Sequence, residues 1–184
     1  MTWSWCEQAT ASAAGVYDTH YPWLDPLRAF IRGAYAAGTP MLGVCFGHQI
    51  MADALGGDVR KSEAGWGLGR HTYTVKARPD FMRAAPVALA VACSHQDQII
   101  TPPADADVIL ASDFTPNAGL AYRNGAALSF QPHPEFLDDY TIALAELRRG
   151  KAPDNVVETA ISSIATPSHS ADVAGYIGQF FKGR

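Results

Sequence analysis

Gly43-Val44-Cys45-Phe46-Gly47-His48-Gln49 follows the apolar pair Met41-Leu42 and leads into Ile50-Met51-Ala52-Asp53-Ala54-Leu55-Gly56-Gly57. Pro40 to Val44 is a short apolar run suited to a buried strand. Phe46 to Leu55 has a helical pattern, and Gly56-Gly57 ends it. Cys45 therefore stands between two glycines where strand turns into helix. A cysteine there is a nucleophile, a metal ligand or a small buried residue.

The glycines allow the turn, because a Cβ at either place would clash where strand and helix pack closely. Gly-x-Cys-x-Gly is the thiol counterpart of the Gly-x-Ser-x-Gly elbow. At such a turn the thiol meets a helix N-terminus, whose partial positive charge favours thiolate over thiol. The Phe46 backbone N–H then points where an oxyanion would form. A nucleophile needs a base, and the base needs an orienting group. Gln131-Pro132-His133-Pro134-Glu135 supplies both. In an extended segment, which the flanking prolines favour, residues two apart leave on the same side. Glu135 can then hold the His133 imidazole while His133 faces a neighbouring element.

Outward from these motifs, strands and helices alternate. Asp18 to Gly38 reads as a helix, with Asp25-Pro26 as cap and first-turn proline and Gly38 as stop. Arg70 to Lys76 alternates like a half-buried strand. Pro86 to Cys93 is apolar and breaks into a polar turn, Ser94-His95-Gln96-Asp97-Gln98. Val108 to Ala111, Gly119 to Tyr122 and Ala126 to Phe130 read as strands, with Asn124-Gly125 a hairpin signal between the last two. After His133-Pro134-Glu135 a helix runs to about Arg149, and two more follow over Asp154 to Ile164 and over Asp172 to Phe181. The pattern is an α/β sheet with an antiparallel hairpin at one side.

The chain has 184 residues, 48% hydrophobic and 17% charged, which fits one globular domain, 1–184, with a sizeable core. A net charge of -4 without a basic stripe argues against nucleic acid. No apolar run approaches membrane-span length and no signal-peptide pattern opens the chain, so it reads as cytoplasmic. Three cysteines, Cys6, Cys45 and Cys93, form no disulfide framework and no C-x-x-C spacing. Cys6 and Cys93 read as small apolar filler. The six histidines are scattered and show no metal signature, so neither a metal nor a cofactor is expected. A phosphate-binding G-x-x-x-x-G-K-[ST] loop is absent.

Cys45-Phe46-Gly47-His48-Gln49 together with Gln131-Pro132-His133-Pro134-Glu135 resembles the class I glutamine amidotransferase family. Gly65-Trp66-Gly67, Ser94-His95-Gln96-Asp97, Val16-Tyr17-Asp18 and Pro22-Trp23 extend the resemblance, toward stand-alone members related to the GMP synthase glutaminase domain. The resemblance implies a flavodoxin-like, mostly parallel sheet flanked by helices. It implies a Cys45-His133-Glu135 triad that hydrolyses the side-chain amide of glutamine through a γ-glutamyl thioester. It implies oxyanion donors at Phe46 and Ala11, and substrate contacts from Gln49 and the Ser94, His95 and Gln96 loop. His48 reads as helix packing. The ammonia would pass to an unseen acceptor or a separate synthetase subunit.

The sequence departs from the family at two places. The family begins with a strand, a helix and a second strand ahead of the region matching Ala9, and only eight residues stand there, so the chain reads as N-terminally short. Trp3 and Trp5 are candidates for a remnant strand. The oxyanion loop matches Thr10-Ala11-Ser12-Ala13-Ala14-Gly15, with Ala11 where a glycine is expected. Alanine resists positive φ. A misplaced donor costs about 10²- to 10³-fold in rate, so impaired turnover is an expectation. Two alternatives stand beside the glutaminase: a γ-glutamyl hydrolase acting on γ-glutamyl amides or peptides, and a binding or regulatory module without turnover.

Overall fold

The strand that ends at Cys45 and the strand that ends before Gln131 lie side by side. Met41–Val44 (β1) pairs in parallel with Ala127–Phe130 (β8), with Gly43 opposite Ser129 and Val44 opposite Phe130. Their carboxyl ends therefore finish level at one edge of the sheet, which is how segments far apart in sequence meet. The computed structural model describes residues 15–183. Trp3, Trp5, Cys6 and Ala11 lie outside the described residues.

In chain order the elements are α1 (Leu24–Ala36), β1, α2 (Phe46–Ala54), β2 (Asp58–Lys61), β3 (Gly67–Val75), β4 (Ala88–His95), β5 (Asp97–Thr101), β6 (Ala106–Ala111), β7 (Gly119–Tyr122), β8, α3 (Asp138–Leu147), α4 (Asp154–Ser163) and α5 (Ser170–Lys182), with a 3-10 turn at Asp80–Met82. Six strands form one sheet in the order β1-β8-β7-β6-β3-β4, and β2 pairs with β5 in a separate ribbon. β8 is buried along its whole length, as a strand between two neighbours with both faces covered must be. On one face Leu24, Ile31, Ile50 and Met51 of α1 and α2 pack with Leu120, Tyr122 and Ala127. On the other, Val173, Tyr176 and Phe180 of α5 pack with Leu89, Val91, Leu128 and Phe130. Alternate residues of β7 and β8 thus serve opposite faces, as the two-residue strand period requires. A third cluster joins Leu68 to Ala145, Val157 and Ala160 of α3 and α4.

The α/β class holds, and its sheet is mixed rather than mostly parallel. Among the described residues β1–β8 is the parallel pairing, and the other pairings are antiparallel. The links between β6 and β7 and between β7 and β8 are too short for a parallel crossover, which needs a dozen residues or more. Asn124-Gly125 makes the β7–β8 turn as expected: Gly125 has φ 74, and the Asn124 side chain accepts from the Ala126 N–H. Helix α1 begins at Leu24, so Pro26 sits inside its first turn rather than at the first position. That place is tolerated because first-turn N–H groups have no intrahelical partner. Gly38 ends the helix at φ 65.

The expected turn over Ser94 to Gln98 is two strands separated by a bend at Gln96 alone. β4 continues against β3 as far as His95 opposite Gly67, and Asp97 and Gln98 pair with Lys61 and Arg60. Polar side chains made this stretch read as a loop, yet His95 and Gln98 are buried. Among the described residues no helix is long and apolar enough to cross a membrane.

Candidate active site

Cys45 links β1 to α2 at φ 51 and ψ -105, and it is the one non-glycine residue with positive φ among the described residues. Such a conformation costs on the order of 1–3 kcal/mol and persists because its surroundings enforce it. The Cys45 N–H donates to Phe130 O at 2.8 Å, and the Cys45 carbonyl accepts from Gln49 N–H at 3.0 Å. The chain is thus pinned to β8 on one side and to α2 on the other. The two glycines play different parts. A Cβ on Gly43 would stand 2.5 Å from the Gly47 carbonyl oxygen, so strand and helix close only over glycine. A Cβ on Gly47 would meet nothing, so the expected packing need there is absent. Gly43→Ala is expected to destabilise the fold by about 1–3 kcal/mol, while Gly47→Ala leaves stability near the parent value. Urea unfolding of the two variants side by side checks this.

His133 follows β8 after bends at Gln131 and Pro132 and leads into a turn at Pro134-Glu135, with the Phe136 N–H on His133 O at 3.3 Å, where an extended segment was expected. Its backbone N–H donates to Ala92 O at 2.8 Å, which fastens the segment to β4. Nδ1 stands 2.7 Å from Glu135 Oε1. With Nδ1 engaged, Nε2 is the ring atom left for the side-chain hydrogen bond between His133 and Cys45. Phe136 stacks on the imidazole with centroids 3.8 Å apart and planes 8° from parallel. Burial alone would push this imidazole down. Hydrogen bonds to Cys45 and Glu135 outweigh it and raise His133 to about 9.

Gln49 is buried on α2, one turn past Cys45. Its Nε2 donates to Asp97 O at 2.8 Å and to Gln131 Oε1 at 3.1 Å. Gln131 is fully buried, and its Nε2 lies 3.6 Å from Cys45 Sγ. The sequence motif contains Gln131 without marking it for any role. The available signal was its place in the motif, two residues before His133.

The structure brings Cys45, His133 and Glu135 together directly and joins Gln49 to them through Gln131. It turns Ser94 and His95 inward. Ser94 Oγ is buried without a hydrogen-bond partner. His95 Nδ1 lies 3.2 Å from Asp97 O, which only accepts, so Nδ1 carries the proton. Gln96 occupies the bend, and its carbonyl accepts from Ser62 N–H at 2.9 Å. Asp97 accepts from the Tyr17 hydroxyl at 2.9 Å. Phe46 opens α2, so its N–H belongs to the first turn and has no intrahelical acceptor. Ala11, the other expected oxyanion donor, lies outside the described residues.

His48 packs the helix as expected. It is fully buried between Ser129 Oγ at 2.7 Å and the Asn117 carbonyl at 2.9 Å. Cys93 is buried on β4, and burial pushes its thiol up to about 12. Among the described residues no group of three or more His, Cys, Asp or Glu could hold a metal ion. Burial lowers both His48 and His95 to about 3. Their folded values lie below the unfolded value of 6.5, so their stabilising share is complete above pH 6.5 and is lost as pH falls from there toward 3. His133 has the opposite sign: its share is complete below pH 6.5 and is lost as pH rises through about 9. Each of the two buried histidines is expected to lower the folding constant roughly tenfold per pH unit within the acid window. Denaturant midpoints between pH 7 and pH 4 test this, and a flat profile would contradict it.

A strained thiol at one strand end, near a part-buried imidazole held by a carboxylate after the next, makes up a cysteine-histidine-acid cluster on an α/β sheet. The chain belongs to the class I glutamine amidotransferase family: residues 18–139 match the family described as glutamine amidotransferase class-I. The glutamine-hydrolyzing GMP synthase of Thermus thermophilus is 29% identical over 158 residues, covering 81% of this chain and 30% of that protein. One of the separate subunits of the glutamine-hydrolyzing GMP synthase from Methanospirillum hungatei is 31% identical over 98 residues, covering 53% of this chain and 52% of that one. The chain thus spans about a third to a half of these curated relatives. Among solved structures, a glutamine amidotransferase from Thermotoga maritima superposes with a TM-score of 0.73 at 22% identity, over 92% of this chain and 73% of that one. One from Methylobacillus flagellatus gives 0.71 at 21% identity over the same shares.

Proposed function

We propose that the chain hydrolyses the side-chain amide of glutamine, with Cys45 as nucleophile, His133 as acid and base, and Glu135 orienting His133. The observation that carries this is the thiol–imidazole–carboxylate line at the level ends of β1 and β8. Cys45 thiolate attacks the amide carbon, and the oxyanion forms toward the Phe46 N–H. His133, protonated, gives its proton to the leaving nitrogen, so ammonia departs and a γ-glutamyl thioester remains. Water then gives a proton to His133 and its oxygen to the carbonyl. The thioester breaks, releasing glutamate and restoring the thiol.

The bend at Gln96 supplies backbone groups to the substrate's α-amino and α-carboxylate ends, with Ser94 and His95 holding the bend from inside. Gln49 supports the same bend through the Asp97 carbonyl. The ammonia passes to a separate synthetase subunit. That reading is supported by the Methanospirillum relative, which is named as one subunit of its enzyme. The work is done in the cytoplasm, where the free thiol stays reduced.

Ammonia release from glutamine, beside release from γ-glutamyl amides and peptides, tests the reading. Release from glutamine supports it. Release only from larger γ-glutamyl compounds would assign a γ-glutamyl hydrolase instead. No release from any of them by folded protein, with the synthetase component of a GMP synthase added, would point to a binding module.

A further inference from the structure

We propose that Gln131 is a positioning residue that donates a hydrogen bond to the Cys45 sulfur and couples it, through Gln49, to the Asp97 bend. The inference rests on the reading of Cys45 as nucleophile. The orientation of both amides follows from the partners. Asp97 O only accepts, so the Gln49 group facing it at 2.8 Å is the donor, Nε2. The same Nε2 faces Gln131 at 3.1 Å, so Gln131 presents its oxygen there. Its nitrogen is thereby left toward Cys45 Sγ, at 3.6 Å. Each amide orientation is thus fixed by the one before it, from a carbonyl that cannot be reversed.

Gln131 is fully buried, so no water replaces that donor if it is removed. Its backbone is fixed as well, by N–H donation to Ala118 O at 2.8 Å. A donor aimed at sulfur favours thiolate over thiol, because a hydrogen bond to the charged form is the stronger one. The Cys45 sulfur also raises His133, so both an imidazole and an amide act on Sγ. The sulfur is held in line while His133 gives its proton away. The link to Asp97 O means that whatever moves the bend also moves the donor on Sγ.

The test is the pH profile of Cys45 alkylation by iodoacetamide, read by peptide mass spectrometry on wild type, Gln131→Met and Gln49→Met. Iodoacetamide needs no glutamine site, so this readout is separate from turnover. Gln131→Met is expected to slow alkylation about tenfold on the acid side of the profile, while the plateau rate is kept or raised. Gln49→Met keeps the donor but frees its orientation, and is expected to shift the profile the same way by less. Profiles that overlay wild type in folded variants would overturn the proposal. If Gln131→Met does not fold, Gln49→Met decides it. If neither folds, Gln131 is a structural tie and the proposal fails. A shift in a protein that releases no ammonia from glutamine would leave the positioning role standing and remove the glutaminase reading.

Discussion

Cys45→Ala is expected to lower ammonia release from glutamine by about 10⁴-fold or more, with thermal unfolding close to the parent. The size follows from there being no substitute thiol nearby among the described residues. Cys93 is buried on β4, its thiol pushed up to about 12 by that burial. Water could attack in place of sulfur, but the route would lose the thioester that splits one hard step into two. Cys45→Ser should fall almost as far, since a hydroxyl yields its proton far less readily than a thiol. Stability is expected to stay close to the parent or fall slightly, because alanine at φ 51 keeps the Cβ strain while the Gln131 amide loses the sulfur it faced. A coupled ammonia assay on folded variants reads the loss. A fall of less than about tenfold would mean the reaction does not pass through this sulfur.

The second large effect belongs to His133. His133→Asn is expected to lower turnover by about 10²- to 10⁴-fold, the usual share of a positioned acid–base group. Its pH dependence is the sharper signature. His133 is raised to about 9 because hydrogen bonds to Cys45 and Glu135 outweigh burial. Below that pH it holds the proton that ammonia needs, and above it the proton is gone. The profile of kcat/KM, which reports the free enzyme, should therefore fall on the alkaline side with a midpoint near 9. Glu135→Gln removes one of the two raising contacts and leaves burial in place, so the alkaline limb should move to lower pH. A limb that stays put in Glu135→Gln would show that Glu135 does not set the proton affinity of this imidazole.

What the sequence made legible is what short-range geometry decides. A cysteine between glycines at a change of period from strand to helix forces an elbow, and the structure shows it at φ 51. A histidine and a carboxylate two residues apart were expected to meet across an extended segment; they do meet, at 2.7 Å, but through a turn at Pro134-Glu135. Strand direction was less legible, since burial on both faces reads the same in parallel and antiparallel pairs. The stretch Ser94 to Gln98 misled for a related reason. Its His95 and Gln98 side chains lie in the interior under neighbouring strands, and a hydropathy pattern cannot see that. β2 was missed because Asp58, Arg60 and Lys61 leave only Val59 as a buried apolar residue in that strand. Gln131 was missed because its side-chain partners, Cys45 and Gln49, lie more than eighty residues away in sequence, and only the folded chain brings them within bonding distance. Gly47 is the reverse case: the motif invited a packing explanation, and the space beside it is empty.

The most direct measurement is covalent labelling with a diazoketone analogue of glutamine, followed by intact mass and peptide mapping. One adduct per chain on Cys45, slowed by excess glutamine and absent in Cys45→Ala and His133→Asn, is the expected result. Folded protein that takes up no label at Cys45, or takes it up equally in the presence of excess glutamine, would contradict the assignment of this thiol as the glutamine nucleophile.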